Sequence, residues 1–353
     1  MDEVFHPDFL MLDTIRRAQG EVLAAVGYGP LERQYDVAAC TRRWRLRDYA
    51  GGTRASLLMI GAPIKRPYIW DLAPSISALG YCLDQGFRVH LLEWTAPNIG
   101  DEPICLDDYV EAISDAVNRV KATVGAAMPI LLGHSLGGTL AAVFVALDPA
   151  SVAGLVLLGA PLCFGAGTSR FRDAVAALPG SAPAPSELVP GSLLGHASAL
   201  AAPADFVWSR LTDAALSRLD AQALETHLRV ERWALDEVAL PGHFMGQVLA
   251  WLYREDRFRR GVLPVKGRGL GPRNLTTPTL AAVDAGDGVV PLAAVEEFLA
   301  ASPARTQIVV YPGETGVALQ HLALLIGLRA RATVWPQIFA WIDGLAATAP
   351  PRD

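Results

Sequence analysis

Three residue types that together can activate a hydroxyl nucleophile occur in this chain, and the serine among them has the most informative surroundings. Ser135 stands in the pattern Gly133-x-Ser135-x-Gly137, between the apolar runs 129–132 and 140–147. An apolar strand, a glycine-rich turn and a buried helix in this order are typical of a nucleophile elbow, which holds the serine exposed on a sharp turn. The N-terminus of the following helix favours negative charge. The pattern therefore predicts that Ser135 is a nucleophile.

A candidate base and a candidate acid follow the serine along the chain. A serine hydroxyl needs a neighbouring base, and an imidazole base needs a carboxylate that sets its tautomer. His321 follows the strand-like run 307–311, and Asp287 follows the run 278–283. Because the carboxyl ends of parallel strands meet at one edge of a sheet, these side chains should meet Ser135 there. Asp284 is the alternative acid; we favour Asp287 because it directly precedes the run that leads into the next helix.

The amide groups that would stabilise an oxyanion are expected in two places. One is the N–H of Leu136, the residue after the serine. The other is expected in the loop that follows the apolar run 56–60. Pro63 has no N–H, so Ile64 or Ala62 must donate, and we choose Ile64.

The elements that would position these groups alternate between strand and helix. The predicted strands outside the elbow are 34–38, 43–49, 56–60, 87–94, 152–158, 278–283 and 307–311. Most are continuous apolar runs separated by helical patterns, which is typical of a parallel sheet covered by helices on both faces. The first two alternate instead and suit antiparallel edge strands. The chain is therefore predicted to have the α/β-hydrolase fold, with a mostly parallel central sheet.

The alternation stops in one long central region, where aromatic-rich helical patterns are interrupted by passages rich in Gly, Pro and Ala. Hydrolases place a helical cap over the active site at this point of the fold. We therefore divide the chain into an N-terminal helical arm (1–30), a first part of the core (31–162), a cap, or lid, insertion (163–275) and a second part of the core (276–353).

Composition argues against several function classes. The formal net charge is −6, with 52% hydrophobic and 19% charged residues, and no basic run offers a surface for nucleic acid. The first residues do not resemble a secretory signal, and no apolar run reaches the length of a transmembrane segment, so we expect a cytoplasmic protein. The four cysteines are scattered, without metal-ligand spacing. We expect no metal and no bound cofactor.

Five stretches spread over nearly the whole chain carry a resemblance to a known family. They are 66–72, 86–94, 241–258, 287–291 and 321–338. These stretches resemble the polyhydroxyalkanoate synthases, especially the short class III type. In that family a cysteine within a G-x-C-x-G box takes a 3-hydroxyacyl group from coenzyme A and passes it to a growing polyester. The resemblance implies that Ser135, Asp287 and His321 occupy the positions of the catalytic residues.

The main departure from the family is serine in place of cysteine. Another is Gln320, since the family tends to have glycine beside the histidine. The free-energy change of acyl transfer from a thioester to cysteine is close to zero, whereas transfer from an oxygen ester to cysteine is unfavourable. With serine as the acceptor, the free-energy change of transfer from an oxygen ester is close to zero, and transfer from a thioester is favourable. Ser135 therefore adds oxygen esters to the accessible substrates without removing thioesters.

These observations predict a serine-nucleophile acyl-transfer enzyme, an esterase, thioesterase or acyltransferase, that acts on hydroxyacyl esters or hydroxyacyl-coenzyme A thioesters through an acyl-enzyme. Coenzyme A would enter only as part of an acyl-coenzyme A substrate. The alternatives are a true polyhydroxyalkanoate synthase that uses serine, and a catalytically silent partner or granule-associated subunit. The resemblance also implies a small-molecule or polyester acyl substrate, a homodimer or second subunit, and association with polyester granules.

Overall fold

A central sheet organises the fold. The computed structural model describes residues 6–98, 103–123, 125, 127–177 and 183–348. Within these residues the strands are β1 Asp36–Cys40, β2 Trp44–Tyr49, β3 Ser56–Ile60, β4 Arg88–Trp94, β5 Ile130–His134, β6 Gly154–Leu158, β7 Leu188–Val189, β8 Leu240–Pro241, β9 Leu263–Val265, β10 Arg268–Leu270, β11 Thr279–Asp284 and β12 Thr306–Tyr311. Eight strands of the described chain form one sheet in the order β1-β2-β4-β3-β5-β6-β11-β12.

The direction of the strands confirms the predicted mostly parallel α/β sheet. β1 and β2 pair antiparallel, as do β2 and β4, while the remaining neighbours in the large sheet run parallel. The central strands β3, β5 and β6 are buried along their whole length. Continuous apolar runs are required there because helices cover both faces of a parallel sheet.

Helices cover the sheet and form most of the long insertion. The described α-helices are α1 His6–Leu23, α2 Ala78–Asp84, α3 Leu106–Thr123, α4 Leu136–Leu147, α5 Arg170–Ala177, α6 Gly191–Ala201, α7 Ser209–Ser217, α8 Ala221–Ala234, α9 Gly242–Gln247, α10 Glu296–Ala300, α11 Ala323–Ile326, α12 Leu328–Thr333 and α13 Trp335–Thr348. Shorter helical turns include the π-helical segments Ala24–Tyr28, Ala204–Trp208 and Val248–Arg254 and the 3₁₀ turn Gln320–Leu322. Within the described ranges no helix combines the length and the apolar composition needed to cross a membrane.

Two apolar clusters form the core on opposite faces of the sheet. One contains α3, α4 and much of the cap, and the other contains α2 and α11 to α13. The long insertion between β6 and β11 contains α5 to α9, and α1 packs against two of these helices, α6 and α8. The boundaries of the arm and the cap stay predictions; residues 1–5 of the arm and 178–182 of the cap lie outside the described residues.

Candidate active site

Ser135 lies on the turn between β5 and α4, as the glycine pattern predicts. β5 ends at His134 and α4 begins at Leu136, so a single residue reverses the chain. Ser135 has φ 54° and ψ −137°, a conformation that is costly for a residue with a Cβ. Its N–H donates to the carbonyl of Leu158 in the neighbouring strand β6, 3.2 Å away. The sheet itself therefore helps to hold the strained serine at its carboxyl edge.

The glycines around Ser135 are required by close packing. A Cβ added at Gly133 would lie 2.3 Å from the Cα of Gly138, in the first turn of α4. A Cβ added at Gly137 would lie 2.4 Å from the carbonyl carbon of Gly61, in the loop after β3. Contacts this short exclude a side chain. Gly133 therefore lets α4 approach β5, and Gly137 lets the loop after β3 approach the turn that holds the serine.

His321 joins the serine to a carboxylate. Its Nε2 lies 2.9 Å from the Oγ of Ser135, and its Nδ1 lies 2.7 Å from Oδ2 of Asp287. In the neutral imidazole, Nδ1–H donates a hydrogen bond to the carboxylate, and Nε2 accepts a hydrogen bond from the serine hydroxyl. Asp287 is held in turn by the N–H of Val289, which donates to Oδ1 at 2.8 Å. The structure brings together the three side chains named from the sequence.

For both His321 and Asp287, burial and the charge of the partner shift the pKa in opposite directions. Burial raises the pKa of Asp287, but the charge and hydrogen bond of His321 and the N–H of Val289 outweigh it, so that pKa is lowered overall. Burial lowers the pKa of His321, but the charge and hydrogen bond of Asp287, together with the charges of Asp205 and Asp284, raise it overall. The pair therefore favours an ionised Asp287 that stabilises an imidazolium.

Asp284, the alternative acid, lies elsewhere in the same turn. It is buried, and Oδ1 accepts the N–H of Gly286 at 2.7 Å. Burial raises the pKa of Asp284 to about 6. The carboxylate that accepts the hydrogen bond of His321 is that of Asp287.

The two predicted oxyanion donors border the same cavity. Leu136 is the first residue of α4, so its N–H has no acceptor within the helix. Ile64 and Ala62 both line the cavity, and the carbonyl of Ile64 accepts the N–H of Val238 from the cap at 3.2 Å. The cap thus contacts the loop that is expected to hold the second donor. The roles of Leu136 and Ile64, with Ala62 as the alternative to Ile64, stay predictions.

Sequence reasoning missed a second histidine beside the site. The Nε2 of His134 lies 3.0 Å from the carbonyl oxygen of His321, and the two rings are 4.9 Å apart. Burial lowers the pKa of His134 to about 3, so the ring is neutral and its N–H donates to that carbonyl. His134 thereby connects the end of β5 to the backbone of His321. Its place immediately before Ser135 is the only signal in the sequence.

A cavity of about 420 Å³ opens onto Ser135 and His321. Core and cap both contribute to its wall, which is mostly apolar and aromatic. Cap residues in the wall include Phe164, Phe171, Leu193, Leu194, Phe206 and Tyr253. The volume falls within the usual range for small-molecule sites. The cavity can hold an apolar acyl chain with its carbonyl carbon near the serine.

Comparison with known proteins is consistent with this arrangement. The family model described as the alpha/beta hydrolase fold matches residues 69–317. The chain belongs to the α/β-hydrolase fold family. This α/β hydrolase is therefore an enzyme of the hydrolase or acyltransferase type. The matched range contains Ser135 and Asp287 and ends shortly before His321.

Curated relatives confirm the resemblance noted in the sequence. The α/β hydrolase is 28% identical to the PhaC subunit of poly(3-hydroxyalkanoate) polymerase from Haloferax mediterranei, over 92% of its own length and 66% of the relative. It is 25% identical to the PhaC subunit from Allochromatium vinosum, over 81% and 80% of the two chains. The α/β hydrolase spans only 60% of a third relative, the PhaC subunit from Haloarcula marismortui. It is a polyhydroxyalkanoate synthase-like α/β hydrolase.

Solved structures confirm the predicted fold class. A monoacylglycerol lipase from Paleococcus ferrophilus superposes with a TM-score of 0.53 at 14% identity, covering 86% of this α/β hydrolase and 99% of the lipase. An esterase from Rhodococcus sp. ECU1013 gives 0.51 at 18% identity, covering 89% and 98%. At this level of identity the likeness concerns the fold alone.

Proposed function

We propose that this α/β hydrolase transfers acyl groups through an ester on Ser135, taking them from hydroxyacyl esters or hydroxyacyl-coenzyme A thioesters. The observation that carries the proposal is the chain of hydrogen bonds from Asp287 through His321 to the serine hydroxyl, at the mouth of an apolar cavity. A weak nucleophile is activated by this arrangement because the imidazole accepts its proton as the new bond forms.

The first half of the reaction forms the acyl-enzyme. The Oγ of Ser135 attacks the substrate carbonyl carbon while its proton moves to Nε2 of His321. The N–H groups of Leu136 and Ile64 would stabilise the tetrahedral oxyanion, since such donors strengthen most in the transition state. His321 then protonates the leaving alcohol, or the leaving thiol of coenzyme A, and the bond from the carbonyl carbon to the leaving group breaks.

The second half of the reaction regenerates the free hydroxyl of Ser135. Water or an alcohol gives its proton to His321 and attacks the ester carbonyl; the bond from the carbonyl carbon to Oγ of Ser135 then breaks as His321 returns the proton to Oγ. Water would give the free hydroxy acid, and the hydroxyl of a second hydroxyacyl group would give an ester-linked chain. No cofactor enters these steps, and coenzyme A leaves as part of the substrate. We favour hydrolysis because the serine box is that of esterases, lipases and thioesterases.

Substrate turnover with and without the serine hydroxyl tests the proposal. Wild-type protein and Ser135→Ala are incubated with 3-hydroxybutyryl-coenzyme A and, separately, with p-nitrophenyl butyrate. Release of thiol or nitrophenol is followed, and the acyl product is identified by mass. Ser302→Ala, whose hydroxyl donates to the carbonyl of Leu275, is the matched control and should behave as wild type. Turnover by wild type that is lost only in Ser135→Ala would support the proposal.

The products and a covalent probe separate the alternatives. Free 3-hydroxybutyrate would identify a hydrolase. Ester-linked oligomers would identify a synthase that uses serine, the second candidate, which the 25–28% identity to poly(3-hydroxyalkanoate) polymerase subunits favours. If neither substrate turned over and a fluorophosphonate left folded wild-type protein unlabelled, the proposal would fail. The silent or granule-associated subunit would then be the better description.

The variant Ser135→Cys tests the energetic argument for serine. A cysteine acyl-enzyme is a thioester, so its formation from an oxygen ester is uphill, while its formation from acyl-coenzyme A is balanced. We expect Ser135→Cys to lose turnover of ethyl 3-hydroxybutyrate, an unactivated alkyl ester, by a larger factor than turnover of 3-hydroxybutyryl-coenzyme A. Equal losses with both substrates would contradict this account of the substitution.

Partners and location are proposed on the resemblance alone. We expect a homodimer or a complex with a second subunit, in a cytoplasmic protein that associates with polyester granules. Light scattering after gel filtration would measure the mass of the purified assembly, and a mass equal to the 37.6 kDa of one chain would argue against a homodimer.

A further inference from the structure

One segment of the cap, residues 204–217, carries two carboxylates that reach the loops of the candidate acid and base. The segment consists of the π-helical turn Ala204–Trp208 and α7. Asp213, on α7, is buried. Its Oδ1 accepts the N–H of Gly316 at 2.5 Å, and its Oδ2 accepts the N–H of Ala318 at 2.8 Å. Both N–H groups belong to the loop that leads from β12 to His321.

The loop between β12 and His321 lacks the support of regular structure. β12 ends at Tyr311, and the next helical turn begins only at Gln320. Within this loop Ala318 has φ 59°, a left-handed conformation that disfavours a side chain. A strained conformation persists only where surrounding contacts hold it. The two hydrogen bonds to Asp213 are such contacts, and they come from the cap.

Asp213 has the charge needed to accept several hydrogen bonds. His227 Nδ1 lies 2.8 Å from its Oδ2. Burial raises the pKa of Asp213, but the hydrogen bonds from His227, Gly316 and Ala318 lower it overall. An ionised carboxylate only accepts hydrogen bonds, and it therefore matches the donors that surround it.

The second carboxylate, Asp205, contacts the loop of the acid. Its carboxylate lies against the backbone of Gly288, the residue after Asp287. The approach is close, because a Cβ added at Gly288 would lie 2.5 Å from Oδ2 of Asp205. Asp205 also adds negative charge near His321 and helps to raise the pKa of that imidazole. One cap segment therefore holds both loops of the Asp287–His321 pair.

We propose that Asp213 and Asp205 are positioning residues that hold the loops of His321 and Asp287 in hydrogen-bonding register with Ser135. The inference rests on the proposed role of Ser135 as nucleophile. Asp213 does not border the cavity at Ser135, so it acts through the backbone of Gly316 and Ala318 and not on the substrate.

The rate of labelling of Ser135 by a fluorophosphonate tests this inference without requiring the natural substrate. The limiting rate constant at saturating probe, the half-saturating probe concentration and the pH profile are measured for wild type, Asp213→Asn and Asp205→Ala. Asp173→Asn is the matched control, because Asp173 is a cap carboxylate that also accepts a backbone N–H, from Gly167, but is exposed. Ser135→Ala must not be labelled.

We expect the limiting rate constant to fall by about 10- to 100-fold in Asp213→Asn and by less in Asp205→Ala, since small misplacements of a base are costly. The half-saturating concentration should change little. The midpoint of the pH profile should move to lower pH in both variants, because His321 loses charge interactions with Asp287 or Asp205 that raise its pKa. In Asp213→Asn a merely structural role would not move this midpoint, whereas in Asp205→Ala the lost charge moves it by itself. Asp173→Asn should match wild type.

The outcomes distinguish this inference from the proposed function. Labelling of Asp213→Asn and Asp205→Ala with wild-type rate and midpoint would overturn the positioning role and leave the nucleophile in place. If wild type itself were not labelled at Ser135, the proposed function would fail, and the positioning role with it. Far-ultraviolet circular dichroism checks folding. Should Asp213→Asn not fold, the limiting rate constant of Asp205→Ala, measured above the midpoints of both proteins, decides the matter: a wild-type value at the half-buried Asp205 would overturn the positioning role.

Discussion

Ser135 and the Asp287–His321 pair are held in place by different kinds of contact. Ser135 is fixed by the sheet: β5 and α4 approach each other through glycines, and the serine N–H is bonded to β6. Asp287 lies on a loop, and His321 lies in the 3₁₀ turn that follows another loop; backbone N–H groups of these loops are bonded to side chains, including the cap carboxylate of Asp213. Close packing of buried backbone resists deformation, whereas hydrogen bonds between side chains and loops can be exchanged for water.

This difference indicates which residues of the site should depend on contacts with the cap for their position. The serine should keep its position whenever the core is folded. The acid and base should depend on the core and also on the cap segment 204–217. Breaking one kind of support at a time tests each side of this comparison.

The largest effect is expected at the acid. Asp287→Asn removes the charge that stabilises the imidazolium of His321, so we expect turnover of p-nitrophenyl butyrate to fall by about 10⁴-fold. Asp284→Asn is the control, since Asp284 bonds to Gly286 and not to His321. Its rate should stay within about threefold of wild type, on the basis of this separation. A larger loss in Asp284→Asn than in Asp287→Asn would reverse the assignment of the acid.

A side chain at Gly133 tests the support of the serine by the sheet. In Gly133→Ala the new Cβ would lie 2.3 Å from the Cα of Gly138, so β5 and α4 must separate. We expect the free energy of unfolding to fall by about 3 kcal/mol or more, measured by urea denaturation. Gly344→Ala is the control because its added Cβ meets no described atom within 4 Å apart from its chain neighbours and the backbone of its own helix. Its stability should change by no more than about 1 kcal/mol. Similar results for the two variants would refute tight packing at the elbow.

Protonation of His134, at the end of β5, should make the free energy of unfolding depend on pH. Its pKa is about 3 in the folded protein and ordinary in the unfolded chain, so below about pH 6.5 the unfolded state binds the extra proton. Wild type therefore loses stability as pH falls from about 6.5 to 3, with a slope that approaches about 1.4 kcal/mol per pH unit. In His134→Gln, which keeps an N–H donor without titrating, this contribution should be absent. Parallel pH profiles of unfolding free energy for the two proteins would contradict it.

Asp284 should act in the opposite direction. Its pKa is raised to about 6 by burial, so between about pH 4 and 6 the folded state binds the extra proton. The contribution of Asp284 to stability is therefore lost as pH rises through this window. Asp284→Asn should be increasingly more stable than wild type from about pH 4 to 6, with a constant difference above, measured by urea denaturation. A difference that shrank as pH rose would be evidence against a raised pKa.

The smallest effect is expected for Ala318→Gly. Glycine relieves the left-handed strain at φ 59° but adds freedom to the unfolded chain, so stability should change by no more than about 1 kcal/mol. The N–H that bonds to Asp213 remains, and the limiting rate of fluorophosphonate labelling should therefore change far less than in Asp213→Asn. A loss as large as that of Asp213→Asn would show that backbone stiffness, and not the carboxylate, holds His321.

Short-range patterns determined much of this protein. The apolar runs predicted β3 to the residue, and the glycines around Ser135 predicted the elbow, because both depend on contacts between neighbours in the chain. The order of serine, acid and base followed from the order of the strands. The resemblance to polyhydroxyalkanoate synthases came from stretches spread over the chain and is confirmed by the relatives.

Only the tertiary structure decided what holds the acid and the base. It placed Asp287 and not Asp284 against His321, turned His134 toward the backbone of His321, and brought Asp213 to the N–H of Gly316, 103 residues further along the chain. Loop conformations follow from contacts between distant residues, and no local period or spacing records them. The sequence by itself therefore predicted the candidate nucleophile, and the packing of the cap on the core decided how the candidate acid and base are held.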